Sequence, residues 1–258
     1  MRVALQGPDT LVAVEEAYAG RKRLAIVQSC YIPWKGYLDF IDRVDEFVLL
    51  DDAQYTRRDW RNRNRVKTPQ GTQWLTVPVQ VKGRYLQRID ETSVSEPGWA
   101  ERHWKTLSHS YAAAPCFEEV RDAIGGAYER VADEPRLSVV NRTLLEAIFP
   151  LLGIDTTLSW SAEYPGDGAR TERLVEICRA AGATEYVSGP AARAYLDQAA
   201  FAAHGIDVSW MDYGGYPEYE QIYPPFEHTV TVLDVLFHTG REAARYALRR
   251  PVEACEHA

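Results

Sequence analysis

The sequence predicts an α/β fold: an open, mostly parallel sheet with flanking helices, Rossmann-like in arrangement, plus a helical annex. Three observations predict it. Leu24-Ala25-Ile26-Val27 and Glu46-Phe47-Val48-Leu49-Leu50 are short apolar runs with the length of buried strands. They flank an amphipathic stretch, Tyr37 to Val44, and strand-helix-strand is the unit that sets two strands parallel. Residues 99–150 carry helical spacing and no strand signal.

The chain has 258 residues, enough for one large core or a core with an annex. Hydrophobic residues at 46% and charged residues at 26% are ordinary for a globular protein, which excludes wholesale disorder. A net charge of −8 and a pI of about 5.3 argue against a general nucleic-acid binder, although a local anion site remains compatible. No run reaches the ~20 apolar residues of a membrane span, and the acids Asp9, Glu15 and Glu16 interrupt the N-terminal segment where a signal peptide needs an apolar core. The expected location is the cytoplasm. Cys30, Cys116, Cys178 and Cys255 form no CxxC pair and the six histidines have no zinc-type spacing, so free thiols and no metal site made from Cys and His are expected.

In chain order, residues 1–22 read as a leader with a short helix over 10–19. A core covers 23–98 and 151–245, a helical insert 99–150, and a tail 246–258. The first strand runs into Gln28-Ser29-Cys30-Tyr31-Ile32-Pro33-Trp34-Lys35-Gly36, which Pro33 and Gly36 punctuate as a loop. The second runs into Asp51-Asp52-Ala53-Gln54-Tyr55. Ligands of open parallel sheets bind beyond the carboxyl ends of strands, so the two loops should share one edge. Arg61, Arg63, Arg65 and Lys67 alternate, and an extended segment puts all four on one face. Gln73 to Val81 reads as a strand, Trp99 to Tyr111, 117–131 and Leu137 to Phe149 as helices, and Leu158 to Trp160 as a short strand. Thr171 suits a helix N-cap before Glu172 to Ala181. Glu185-Tyr186-Val187 is a strand whose Ser188-Gly189-Pro190 opens another helix, Val208 to Met211 a last strand, and Val230 to Phe237 an apolar helix.

Six of the eleven residues from Arg57 to Lys67 are cationic, against one acid. Guanidinium forks suit phosphate and carboxylate oxygens, so Arg57, Arg58, Arg61 and Arg63, with Trp60, Asn62, Asn64 and Gln54 beside them, are candidates for substrate binding; the plain alternative is a solvated strand face. Asp51 and Asp52 could hold a metal, a ribose hydroxyl or an amine, or act as a base, or simply end a strand in an Asx turn. The aromatic faces of Tyr31, Trp34 and Tyr37, beside the amide of Gln28, the amine of Lys35 and Gly36, could sandwich a ring, or form a packed turn. Cys30 is a candidate nucleophile with no histidine near it in sequence, which favours a buried structural thiol. Ser188 and Gly189 offer helix-start amides to an anion, or a cap alone.

AIVQSCYIPWKGYLDFIDRVDEFVLLDDAQYTRRDWRNRNRVKTPQGTQWLTVPV resembles the opening block of the WbqC-like protein family, and TERLVEICRAAGATEYVSGPAARAYLD and YGGYPEYEQIYPPFEHTVTVLDVLFHTG resemble its later blocks, so the likeness spans 23–245. The resemblance implies a bacterial biosynthetic role in polysaccharide or specialised-metabolite pathways, such as modification of an activated sugar or amide formation. It also implies that many members carry a histidine where this chain has Val27. The β-loop-helix opening is similar to the nucleotidylyltransferase superfamily, pantothenate synthetases included, whose HxGH motif falls on Trp34-Lys35-Gly36-Tyr37. That likeness implies ATP or another nucleotide as cofactor, with both phosphate-stabilising histidines replaced.

The expected function is therefore a transferase or ligase for an activated, anion-bearing small molecule, a nucleotide sugar or an acyl or aminoacyl donor. Arg61, Arg63 and Lys35 would bind the anion, Tyr31 and Trp34 would stack on a ring, and Asp51 or Asp52 would act as base or hydroxyl ligand. A carrier protein or a second copy of the chain would be the macromolecular partner. The competing expectations are a non-catalytic nucleotide- or anion-binding module and, least favoured, RNA binding along the arginine strand.

Overall fold

The computed structural model describes residues 20–250, so the expected helix at 10–19 and residues 251–258 of the tail lie outside it. In chain order come β1 (Arg23–Val27), α1 (Lys35–Asp42), β2 (Glu46–Leu49), β3 (Arg63–Thr68), β4 (Gly71–Thr76), α2 (Trp99–Tyr111), α3 (Phe117–Arg130) and α4 (Leu137–Leu152). Then follow β5 (Thr157–Trp160), α5 (Thr171–Ala180), β6 (Glu185–Ser188), α6 (Gln198–Ala202), β7 (Asp207–Trp210), α7 (Val232–Thr239) and α8 (Ala243–Ala247). Five strands form one all-parallel sheet in the order β5-β2-β1-β6-β7, and β3 and β4 form a separate antiparallel hairpin.

The two-residue period of a strand sorts the sheet's side chains onto two faces. Ala25, Phe47 and Leu49 join the larger core with α1, α2, α3, α4, α7 and α8, while Leu24, Ile26, Val48 and Tyr186 join a smaller core under α5 and α6. The helices of 99–152 thus share one hydrophobic cluster with the sheet. Among the described residues no helix is long and apolar enough to cross a membrane.

The structure corrects four local expectations. β4 ends at Thr76 rather than running to Val81, because Pro78 has no N–H to continue the ladder. Pro150 does not end α4, which reaches Leu152: a proline in the last turn removes a single helical hydrogen bond. Thr171 is the first helical residue of α5, and its cap position belongs to Arg170 at φ +55°. After Ser188 the chain makes only a five-residue 3-10 turn, Pro190–Ala194, in place of a helix.

The strand order locates the crevice. From β1 the sheet grows outward through β2 to β5, then restarts on the other side of β1 with β6 and β7. Order reverses between β1 and β6, and the crevice beyond their carboxyl ends is the place where such sheets take ligands.

Candidate functional site

At the carboxyl end of β1 lies a cavity of about 250 Å³ lined by Val27, Cys30, Pro33, Trp34, Tyr37, Trp60, Arg61, Asn64 and Thr229. Five of the expected site residues, Cys30, Trp34, Trp60, Arg61 and Asn64, meet here. The walls are mainly apolar, and Trp34 packs on Tyr213 and Tyr216 at ring separations of 5.4 and 6.0 Å. A Cβ on Gly36 would collide with the Trp34 indole, so the glycine is what lets this wall fold over the start of α1.

The loop beneath the cavity is held in an uncommon conformation. Ile32 has φ +34°, costly for a β-branched residue. Asn64 Nδ2 grips the carbonyl oxygens of Tyr31 (3.3 Å) and Ile32 (2.9 Å), and the Tyr31 amide donates to Trp60 O at 3.0 Å. Arg61 completes the brace: Nη1 donates to the carbonyls of Gln28 (2.8 Å) and Ser29 (3.0 Å). Gln28 thus contributes its carbonyl, which also accepts from Tyr37 Oη at 3.0 Å.

Arg61 is the distinctive charge of the cavity. It is only 9% exposed, its Nε is buried without a hydrogen-bond partner, and its nearest carboxylate, Asp59, stands 3.9 Å away. Among the described residues Nη2 also has no acceptor. Burial works against its charge, yet Cys30, Tyr37, Asp59 and Asp51 together raise its pKa. A desolvated guanidinium with one edge unmet is suited to a carboxylate or phosphate.

The other ionisable candidates are turned away from such a role. Burial pushes the Cys30 thiol up to about 11, so it stays protonated at neutral pH. Asp51 is 2% exposed, accepts the Ser29 amide at 2.9 Å and the Ser138 hydroxyl, and ties β1, β2 and α4 together; burial raises its pKa. Asp52 pairs with Arg173 at 3.3 Å and borders a separate depression of about 200 Å³ beyond β2 and β5, where Asp90 pairs with Arg88 and Arg136 with Glu134. Lys35 Nζ leaves the cavity for a cage of Tyr216, Tyr219 and Phe226, 5.3–5.7 Å from the ring centres, where burial lowers its pKa to about 8.

Several expected contacts take other partners. Tyr31 does not offer a stacking face: it is fully buried, with its hydroxyl between His103 Nδ1 (2.7 Å) and Tyr128 Oη (2.6 Å). Asn62 Nδ2 donates to Val77 O at 2.8 Å within the hairpin. Gln54 Nε2 donates to Tyr85 O at 2.8 Å, and Arg57 stacks on Tyr85 and donates to Val81 O, both on the outer loop. Arg58 is exposed and gives its carbonyl to Arg63. Ser188 is buried, and the short turn after Gly189 has no helical amide row for an anion.

The basic face is half covered. Arg65 donates to Thr229, and Lys67 Nζ donates to Gln221 Oε1 (2.8 Å) and to the carbonyls of Tyr223 and Pro225. Behind them Asp234, fully buried, accepts from Tyr111 (2.9 Å), Tyr219 (2.6 Å) and Gln221 (2.8 Å). The segment 219–229 is thereby strapped across the hairpin, and it delivers Thr229 to the cavity. Sequence reading did not single out Thr229, Tyr213 or Asp234. The nearest signal was the density of tyrosine, four between 213 and 223.

The β1–α1 turn does not fit a nucleotide triphosphate in the nucleotidylyltransferase manner. Trp34 covers Gly36, and Lys35, the first helical residue, points into its aromatic cage. Among the described residues no group of three or more His, Cys, Asp or Glu could hold a metal ion.

An uncharacterized protein of Mycobacterium tuberculosis (strain ATCC 25618 / H37Rv), Rv1507c, is 52% identical to this chain over 225 residues, 87% of this chain and 97% of that one. No solved structure matches. The profile of the WbqC-like protein family matches residues 28–246, which include every wall of the cavity except Val27 together with the Asp234 brace, and the chain belongs to that family.

Proposed function

We propose that this chain is a biosynthetic enzyme of the transferase or ligase type that binds the anionic end of a small activated substrate at Arg61, in the apolar cavity beyond β1. The observation that carries the reading is a buried arginine, its Nε without a hydrogen-bond partner, in the wall of a mainly apolar cavity at the carboxyl end of β1. The substrate class is a nucleotide sugar or an acyl or aminoacyl donor, and the bond formed can be an amide. In this reading no step runs through a protein nucleophile, since burial pushes the Cys30 thiol up to about 11 and both Asp51 oxygens accept, from the Ser29 amide and the Ser138 hydroxyl. The walls contribute by excluding water and aligning two reacting groups, with the activated donor supplying its own leaving group. The test is calorimetric titration with nucleotides, nucleotide sugars and small carboxylates, against Arg61→Gln. Saturable binding that the variant weakens at least about tenfold is expected, as for loss of a charge-assisted hydrogen bond. Absence of binding by the parent protein to all of these probes would overturn it.

The same placement of Cys30, Asp51 and Lys35 supports a second reading, a binding module without turnover. Native mass spectrometry of protein taken from its producing cells, before and after incubation, separates the two. A co-purified ligand converted to a new mass supports the enzyme, and a ligand recovered unchanged with every candidate co-substrate supports the module.

A further inference from the structure

Outside the cavity the hairpin carries an arrangement that the core does not need. Trp60 and Trp74 are 39% and 47% exposed, their ring centres 5.3 Å apart. Arg63 lies with its guanidinium carbon 4.0 Å from the Trp74 ring centre. In the β3–β4 register Arg63 faces Thr76 and Arg65 faces Trp74, so Arg63, Arg65 and Trp74 share one face, while Asn64, Val66 and Leu75 turn inward. Arg63 Nη2 is spent on Arg58 O, but its Nε is buried with no hydrogen-bond partner. Trp60 belongs both to this pair and to the cavity wall.

Each part has a cost that folding alone does not recover. Two adjacent indoles leave apolar surface in water that a packed hairpin would bury, and a buried Nε without an acceptor forfeits a hydrogen bond. A ring compound bearing phosphate covers the exposed indoles by stacking on one of them, and its phosphate oxygens take the Arg63 Nη1 end, which among the described residues has no acceptor. The chain's net charge of −8 makes a long nucleic-acid strand a poor occupant, whereas a single phosphorylated ring needs only this local charge.

We infer that the outer face of the β3–β4 hairpin is a second binding subsite, formed by Trp60, Trp74 and Arg63, for a phosphorylated ring. Sugar phosphates and nucleotides share that chemistry. The inference rests on the proposed function only in placing the ligand's other end at Arg61; the platform stands on its own contacts. It makes Trp74 a substrate contact and Arg63 the reader of the phosphate.

The test is calorimetry with UDP-glucose, glucose 1-phosphate, methyl glucoside and a short single-stranded oligonucleotide, on the parent protein and on Trp74→Ala, Arg63→Gln and Arg61→Gln. Trp74 is exposed and Arg63 half-exposed, so both of their variants fold. Trp74→Ala and Arg63→Gln are each expected to weaken phosphorylated probes roughly tenfold, in the range of one lost stacking contact. Preference for UDP-glucose over glucose 1-phosphate identifies the base as the stacked ring, and equal affinity identifies the sugar; either supports the subsite. Equal binding of methyl glucoside, tighter binding of the oligonucleotide than of both phosphorylated probes, or unchanged affinity in both Trp74→Ala and Arg63→Gln overturns it. Loss with Arg61→Gln alone leaves the cavity reading standing without the subsite, and loss with the hairpin variants alone does the reverse.

Discussion

The carboxylate of Asp51, at the end of β2, accepts the backbone amide of Ser29, at the end of β1, at 2.9 Å, and its other oxygen accepts the Ser138 hydroxyl. Both oxygens act as acceptors, so Asp51→Asn must turn an NH2 group toward one of two donors. One buried hydrogen bond is lost, at about 1–3 kcal/mol. Thermal denaturation should show a melting temperature lower by several degrees, since about 1 kcal/mol shifts a domain of this size by roughly 2–4 °C. An unshifted transition accompanied by lost ligand binding would instead give Asp51 a direct role in the site.

A thiol held at about 11 exposes about one thiolate in ten thousand at pH 7. Iodoacetamide applied to the native protein at neutral pH should therefore leave Cys30 unlabelled, read by peptide mass spectrometry, until denaturant is added. Cys30→Ala should retain ligand binding. Rapid native labelling of Cys30 that bound ligand blocks would restore it as a nucleophile.

His103 sits between Tyr31 Oη and the Thr76 carbonyl, to which its Nε2 donates at 3.1 Å. Nδ1 is then the acceptor, and the imidazole is neutral. Burial lowers its pKa from 6.5 to about 4. Between those values the unfolded chain binds the proton and the folded chain does not, so its contribution to stability is intact above pH 6.5 and falls as pH drops toward 4. The loss reaches roughly 3 kcal/mol at the low end. Urea denaturation across this range should show the fall, and His103→Gln should flatten it.

Gly36→Ala places a methyl group where the Trp34 indole lies, and Tyr213 and Tyr216 block the indole's retreat. The expected outcome is displacement of Trp34, a changed tryptophan emission spectrum and weaker ligand binding, with a cost of about 1–3 kcal/mol for overpacking. A crystal structure with Trp34 unmoved and affinity unchanged counts against this wall as part of the site.

How much of this was legible depended on the range of the contacts. Leu24 to Val27 and Phe47 to Leu49 announce their strands through local composition, and their parallel pairing follows from the helix between them. The alternation of Arg63, Arg65 and Lys67 was readable as one face of β3, but Arg61 precedes the strand and turns to the Gln28 and Ser29 carbonyls, and what covers half of the face comes from 219–229, more than 150 residues away in the chain. Tyr31 does not stack in the site because His103 and Tyr128 hold its hydroxyl, and these partners, 72 and 97 residues further along the chain, leave no local signal. Lys35 and Asp51 looked like site residues because they flank the crevice, yet their side chains are consumed by Tyr216, Tyr219 and Phe226 and by Ser29 and Ser138.

The bond from Arg65 to Thr229 and the three acceptors of Lys67 close a loop of more than 150 residues. During synthesis the hairpin and the helices of 99–152 can assemble from contacts close in sequence, whereas the cavity has no Thr229 wall until that segment has left the ribosome. Ligand binding by a nascent chain should thus switch on late and abruptly. Any lesion that delays or breaks closure, a slow codon stretch before 219 or a nick between β7 and 219, would yield protein with a formed sheet and no binding capacity.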